Sequence, residues 1–135
     1  MPLLMDTGVL YALADADDAW HTPVLECLGA LKENLLVPVT VLPEVTYLLR
    51  SRLGTDAELS FVQSIVAGEL GVEQLADSDL ERTEDLLTLY GDIGFVDATV
   101  AAIAERLRLT AIATTDRRHF SQIRPVHRDY FELLP

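Results

Sequence analysis

Leu3-Leu4-Met5-Asp6-Thr7-Gly8, an apolar run that ends on a carboxylate, is the stretch that decides the fold. Consecutive large aliphatic side chains without alternation read as a short strand buried on both faces, the habit of central strands in parallel sheets. The acid that closes the run then falls at the strand's carboxyl end, where α/β folds assemble their sites. The same pattern returns near the other end of the chain in Ile112-Ala113-Thr114-Thr115-Asp116. Two more acids stand where apolar helices begin: Glu44 in Val41-Leu42-Pro43-Glu44-Val45 and Asp97 in Phe95-Val96-Asp97-Ala98.

Outward from these points the chain divides into alternating elements. Strands are expected over Pro2–Met5, Leu35–Val37, Leu70–Leu75 and Thr110–Thr114, with Ile123–Val126 as a last edge strand. Helices are expected over Thr7–Ala14, Thr22–Glu33, a stretch capped by Thr40 and closing at Gly54, a stretch from Thr55 to Ala67, one from Ser78 to Tyr90, and Val96–Leu107, with Gly91 to Gly94 as a loop. Thr55 with Glu58, and Ser78 with Glu81, have the spacing of capping boxes. Strands separated by helical pairs pair in parallel through crossovers. The expected fold is therefore α/β, a three-layer α/β/α sandwich around a mostly parallel sheet, with residues 1–135 as one domain.

Composition narrows the chemistry. Half of the residues are hydrophobic, as in a compact globular protein. No apolar run reaches the roughly 18 residues of a membrane span, and no leader-like segment opens the chain, so a cytoplasmic protein is expected. The single Cys27 has no partner for an internal disulfide and lies with Val24, Leu28 and Leu31 on one helical face, as small core filler. A net charge of −12 opposes nucleic-acid binding at first sight, but the charge is uneven. Six of the ten basic residues lie between Arg106 and Arg128, and nine of the ten are arginines, suited to bidentate phosphate contacts.

Singly, each acid has an ordinary explanation: Asp97 can cap its helix, and Glu44 sits in a first turn where the helix dipole favours negative charge. Together, four carboxylates at one rim need a cation, because two unit charges about 4 Å apart repel by roughly 4 kcal/mol at an effective dielectric near 20. Oxygen-only ligands favour Mg²⁺ or Mn²⁺ over zinc or copper. That points to a carboxylate-metal phosphodiesterase. Other site types fail: no glycine spacing makes a phosphate loop, the only lysine is Lys32, and position 8 is Gly8 where an Asp-x-Asp nucleophile needs an acid. His21, His119 and His127 lack partners at metal-ligand spacing, and His119 reads as a surface helix-end residue.

At these residues the chain resembles the PIN domain, and within it the small VapC-like toxins. The resemblance runs through Leu3-Leu4-Met5-Asp6-Thr7, Leu42-Pro43-Glu44-Val45, Gly94-Phe95-Val96-Asp97-Ala98 and Ala113-Thr114-Thr115-Asp116-Arg117-Arg118-His119-Phe120. It implies a ribonuclease that cuts single-stranded RNA regions with Mg²⁺ or Mn²⁺, with Asp6, Glu44, Asp97 and Asp116 as the catalytic acids. Asp6, Asp97 and Asp116 are the implied metal ligands, and Thr114 is the implied hydroxyl before the last acid. Gly8 departs from the family, where Ser or Asn is common, and Asp92 is an additional loop acid. Arg117 and Arg118, with Arg106, are expected to meet RNA at the rim. The resemblance also implies a cognate small antitoxin and a homodimer, for which Tyr47, Phe61 and Ile65 supply surplus apolar surface. A housekeeping nuclease in RNA maturation and an inactive scaffold are the alternatives, the latter disfavoured by four retained acids.

Overall fold

The computed structural model describes all residues, 1–135. The strands are β1 (Leu3–Met5), β2 (Leu35–Pro38), β3 (Gly71–Glu73), β4 (Ala111–Ala113) and β5 (Glu132–Leu134). The helices are α1 (Thr7–Ala14), α2 (His21–Ala30), α3 (Leu42–Leu53), α4 (Thr55–Val66), α5 (Asp77–Leu89), α6 (Gly94–Arg106) and the single turn α7 (Arg117–Phe120). The sheet runs β3-β2-β1-β4-β5 with every pairing parallel, so all five carboxyl ends share one rim. The expected α/β sandwich is what the chain adopts.

β1 is the central strand, and Leu3, Leu4 and Met5 are all buried, as expected of aliphatic side chains covered on both faces. The chain leaves β1 toward β2 on one side and later returns to place β4 on the other. The gap between the ends of β1 and β4 is therefore a topological switch point, where ligands bind in open parallel sheets. α6 is buried continuously from Ala98 to Glu105. Its small alanine side chains suit that burial, and α5 packs against it. Two ion pairs tie these helices together: Arg82 to the buried Glu105 at 2.8 Å, and Arg106 to the buried Asp79 at 3.0 Å. No helix is long and apolar enough to cross a membrane.

Several local expectations are corrected. The last strand is Glu132–Leu134, not Ile123–Val126. Pro125 lacks the donor that a strand needs, and Ile123 is instead a buried plug in a loop. Thr40 does not cap α3, because a 3₁₀ turn over Val39–Val41 leads into the helix and the Thr40 hydroxyl pairs with that of Thr99 at 2.7 Å. Thr55 is the first helical residue rather than a cap, and Glu58 meets Arg50 at 3.1 Å. α5 begins one residue before Ser78, and the Asp79 carboxylate accepts the Ala76 N–H at 2.8 Å. α6 starts at Gly94, ahead of the expected Val96, and α2 stops at Ala30 rather than Glu33.

Candidate active site

Asp6 follows β1 and is 5% exposed. Its backbone N–H donates to the Ala113 carbonyl at 2.9 Å, which locks the strand end against β4. Although Asp6 stands at the N-cap position of α1, its side chain caps no helical N–H. Its Oδ2 instead accepts from the Thr114 hydroxyl at 2.8 Å. Thr114 is fully buried, and the same hydroxyl oxygen accepts the Asp116 backbone N–H at 2.9 Å. Thr114 thus holds the Asp6 carboxylate and the loop carrying Asp116 in one fixed relation.

Asp116 caps α7. Its Oδ1 accepts the His119 backbone N–H at 3.1 Å, and its Oδ2 lies 2.8 Å from His119 Nδ1. The same Nδ1 is 3.0 Å from Asp97 Oδ2. His119 therefore bridges two of the four acids, and the reading of it as an uninvolved surface residue is corrected. The signal was present as Asp-x-x-His across one helical turn, a spacing that puts both side chains on one face. Glu44 joins from the first turn of α3, where one carboxylate oxygen accepts from the Thr7 hydroxyl. Asp6, Asp97, Asp116 and Glu44 all precede or open helices, so four helix N-termini direct their positive ends at the rim.

The electrostatics record the crowding. Burial, followed by the charges of Asp6 and Asp116, pushes the Asp97 carboxyl up to about 7, against the lowering effect of its hydrogen bond with His119. Burial also raises Asp6 against the lowering effects of the nearby Thr7 amide and the Thr114 hydrogen bond, with Glu44 and Asp116 repelling it further. Burial of the His119 ring works against its charge, but the hydrogen bonds and charges of Asp97 and Asp116 outweigh it and raise the imidazole above its ordinary value. The two carboxylates thus favour the charged form of the imidazole, and a charged ring would offset part of their repulsion.

Asp97, Asp116 and His119 offer ligand atoms that lie within 4.8 Å of one another, a span one ion could occupy. The surrounding donors are oxygens with a single imidazole nitrogen at the edge, a set that fits Mg²⁺ or Mn²⁺. The remaining expected residues make no hydrogen bond to the four acids. Arg117 and Arg118 are exposed, and Arg117 donates to the Pro135 carbonyl. Arg106 is corrected: it lies nine residues beyond Asp97, about 13 Å along the helix axis, and is committed to Asp79. Asp92 is exposed and accepts from Gln122 at 3.3 Å.

Residues 3–124 match the PIN domain. The chain is 34% identical over 135 residues to Ribonuclease VapC26 of Mycobacterium tuberculosis, covering 98% of this chain and 100% of the relative. Among solved structures, Mycobacterium tuberculosis VapC20, a sarcin–ricin loop cleaving toxin, has a TM-score of 0.84 at 21% identity, covering 98% of this chain and 99% of the other. A toxin–antitoxin complex from Klebsiella pneumoniae has a TM-score of 0.73 at 19% identity, covering 96% and 98%. At those identities the structural likenesses speak to the fold, and the sequence match speaks to the lineage. The chain belongs to the PIN-domain family and, within it, to the VapC ribonucleases.

Proposed function

We propose that the protein is a Mg²⁺- or Mn²⁺-dependent endoribonuclease that hydrolyses single-stranded regions of RNA in the cytoplasm, acting as the toxin of a toxin–antitoxin pair. The observation that carries this reading is the gathering of Asp97 with Asp6, Asp116 and His119 at one rim, where burial and the neighbouring carboxylates raise the Asp97 carboxyl to about 7. Such a cluster lowers stability unless a cation compensates it, and a stability cost at a strand rim is a mark of function. Descent from a family that includes a named ribonuclease, over nearly the whole chain, supports the substrate class.

In this mechanism Asp6, Asp97 and Asp116 would hold the ion, and Glu44, through its exposed carboxylate, would orient the attacking water. A cation bound there would supply an acidified water and neutralise charge on the phosphate oxygens. Thr114 keeps Asp6 in register, and His119 Nδ1 carries the proton shared between Asp97 and Asp116. Arg117 and Arg118 at the rim meet flanking phosphates. No side chain serves as a nucleophile.

A small cognate antitoxin is the expected protein partner. Two features favour it: a carboxylate cluster that an inserted basic side chain can neutralise, and an apolar cleft of about 360 Å³ between α1, α3 and α4, lined by Leu13, Leu49, Phe61 and Leu70 among others. The test is twofold. Purified protein incubated with single-stranded RNA should cleave it with Mg²⁺ or Mn²⁺, and Asp97→Asn should not. Expressed alone it should arrest growth, and co-expression of the adjacent small open reading frame should relieve the arrest and give a stable complex. A protein that cleaves RNA but is harmless and captures no such partner would instead be a housekeeping nuclease.

A further inference from the structure

Phe95 is 50% exposed at the mouth of the site. It is the second residue of α6, two positions before Asp97, and with Glu44, Ile93, Val96 and Asp97 it lines a shallow cleft of about 250 Å³. The chain around it goes in, out and in again: Ile93 is 3% exposed, Phe95 half exposed, and Ala98 fully buried. The outward turn is made at Gly94, whose φ of +71° lies in the left-handed region that side chains with a Cβ adopt only under strain. A Cβ at Gly94 would meet nothing within 4 Å, so the glycine is there for its backbone, and the space before it is open.

A single exposed phenylalanine on a protein surface is unremarkable. One that is turned out by a left-handed glycine, into a cleft it shares with two of the four acids, requires a reason. We propose that Phe95 is a stacking platform for a nucleobase of the RNA, next to the phosphate that is cut. This rests on the ribonuclease reading and adds a subsite to it. The only charged side chains lining the cleft are Glu44 and Asp97, and no arginine or lysine is among them. Phosphate is repelled from such a cleft except through the ion, whereas a neutral, flat base is not. Every base has a face that stacks on an aromatic ring, and this requires the base to be unpaired, which explains a preference for single strands. A stacked base also fixes the phosphodiester beside it, so Phe95 sets which bond of the strand reaches Asp97.

The experiment compares wild type with F95A, F95L, F95Y and F95W on a short single-stranded RNA in Mn²⁺, and on copies of it that each carry one abasic position. F95A should raise KM roughly tenfold with kcat little changed, as expected from the loss of one base–aromatic stack. F95Y and F95W should stay near wild type, and F95L should behave like F95A. One abasic position should reproduce the KM increase in wild type and add nothing in F95A. Emission of F95W should be quenched by the intact RNA and less by the copy abasic at that position, a readout independent of cleavage. If wild type cleaves normally but F95A or F95L keeps the wild-type KM, the stack is wrong while the ribonuclease reading stands. If F95A changes only sedimentation or capture of a protein partner, Phe95 belongs to a protein interface and the proposal is overturned. If wild type cleaves no RNA, the ribonuclease reading fails, and unquenched F95W would remove the base subsite with it.

Discussion

The hydroxyl of Thr115 fills the space where a side chain at position 8 would begin: a Cβ on Gly8 would lie 2.2 Å from Thr115 Oγ1 and 3.4 Å from Thr115 Cβ. Gly8 is two residues after Asp6, in the first turn of α1, and Thr115 lies between Thr114 and Asp116, so the contact joins the start of α1 to the turn that follows β4 at the switch point. This gives a physical reason for the departure at Gly8. Gly8→Ala should cost about 1–3 kcal/mol through overpacking and lower RNA cleavage, because Thr115 must rotate or its loop must move. Thr115→Ala should cost less, and in the double variant the two losses should not add. Urea unfolding of the four proteins checks the cycle, and additive losses would show that the close approach carries no coupling.

Stability without metal should fall as pH rises. The folded Asp97 carboxyl holds its proton up to about 7, whereas an unfolded aspartate releases it near its ordinary value of about 4. Between those values the folded state binds more protons, so the stability present at acid pH is lost as pH climbs through 7. The raised His119 acts in the same direction above its ordinary value. Melting in chelator should therefore show a lower Tm at pH 8 than at pH 5, and Asp97→Asn should remove most of that slope.

Metal should reverse the trend. Binding requires the deprotonated carboxylates, so Mn²⁺ affinity should rise over the same pH range and each binding event should release protons. Calorimetric titration in buffers of different ionisation enthalpy measures that release. Mn²⁺ should raise the wild-type Tm more than that of Asp97→Asn, and equal increments would remove Asp97 from the principal ligands.

Thr114→Val tests the buried hydroxyl. It leaves the Asp116 N–H without an acceptor and Asp6 without a donor, at a cost of about 1–3 kcal/mol. Cleavage should drop through misplacement of Asp6, while Thr114→Ser should restore both stability and activity. A valine variant that cleaves normally would reduce Thr114 to core packing.

Of the three residues expected to supply surplus apolar surface for a dimer, only Tyr47 is free to do so. Phe61 is buried and Ile65 packs against the core, leaving Tyr47 at 71% exposure with Leu59, Val62 and Val66 along the outer side of α3 and α4. We expect a homodimer through this surface. Sedimentation should show a species near twice 14.9 kDa at micromolar concentration, and Val62→Glu with Val66→Glu should return it to monomer.

Strands that are aliphatic throughout, such as Leu3-Leu4-Met5, were readable because only a doubly covered strand tolerates them. Helix starts were less so. Thr40, Thr55 and Ser78 all have capping chemistry, yet a 3₁₀ turn, a left-handed Gly54 and the Asp79 carboxylate do the local work. The acids Asp6 and Asp116 were legible because each ends an apolar run. His119 was legible only in part: its spacing to Asp116 is local, but its bond to Asp97 arises only when α6 is brought against α7. Arg106 was misplaced because charge counting gives no position along a helix.

The Thr114 N–H donates to the carbonyl of Leu134 at 2.8 Å, so the strand that orders the Asp6–Asp116 loop pair is itself completed by the last element of the fold. The four acids are distributed from residue 6 to residue 116, yet the backbone that positions them is secured by residue 134. Unpairing β5 from β4 would free the Thr114 N–H and loosen the one side chain that holds Asp6 and Asp116 in a fixed relation. The site could thus be slackened from the sheet's edge without touching any of its acids.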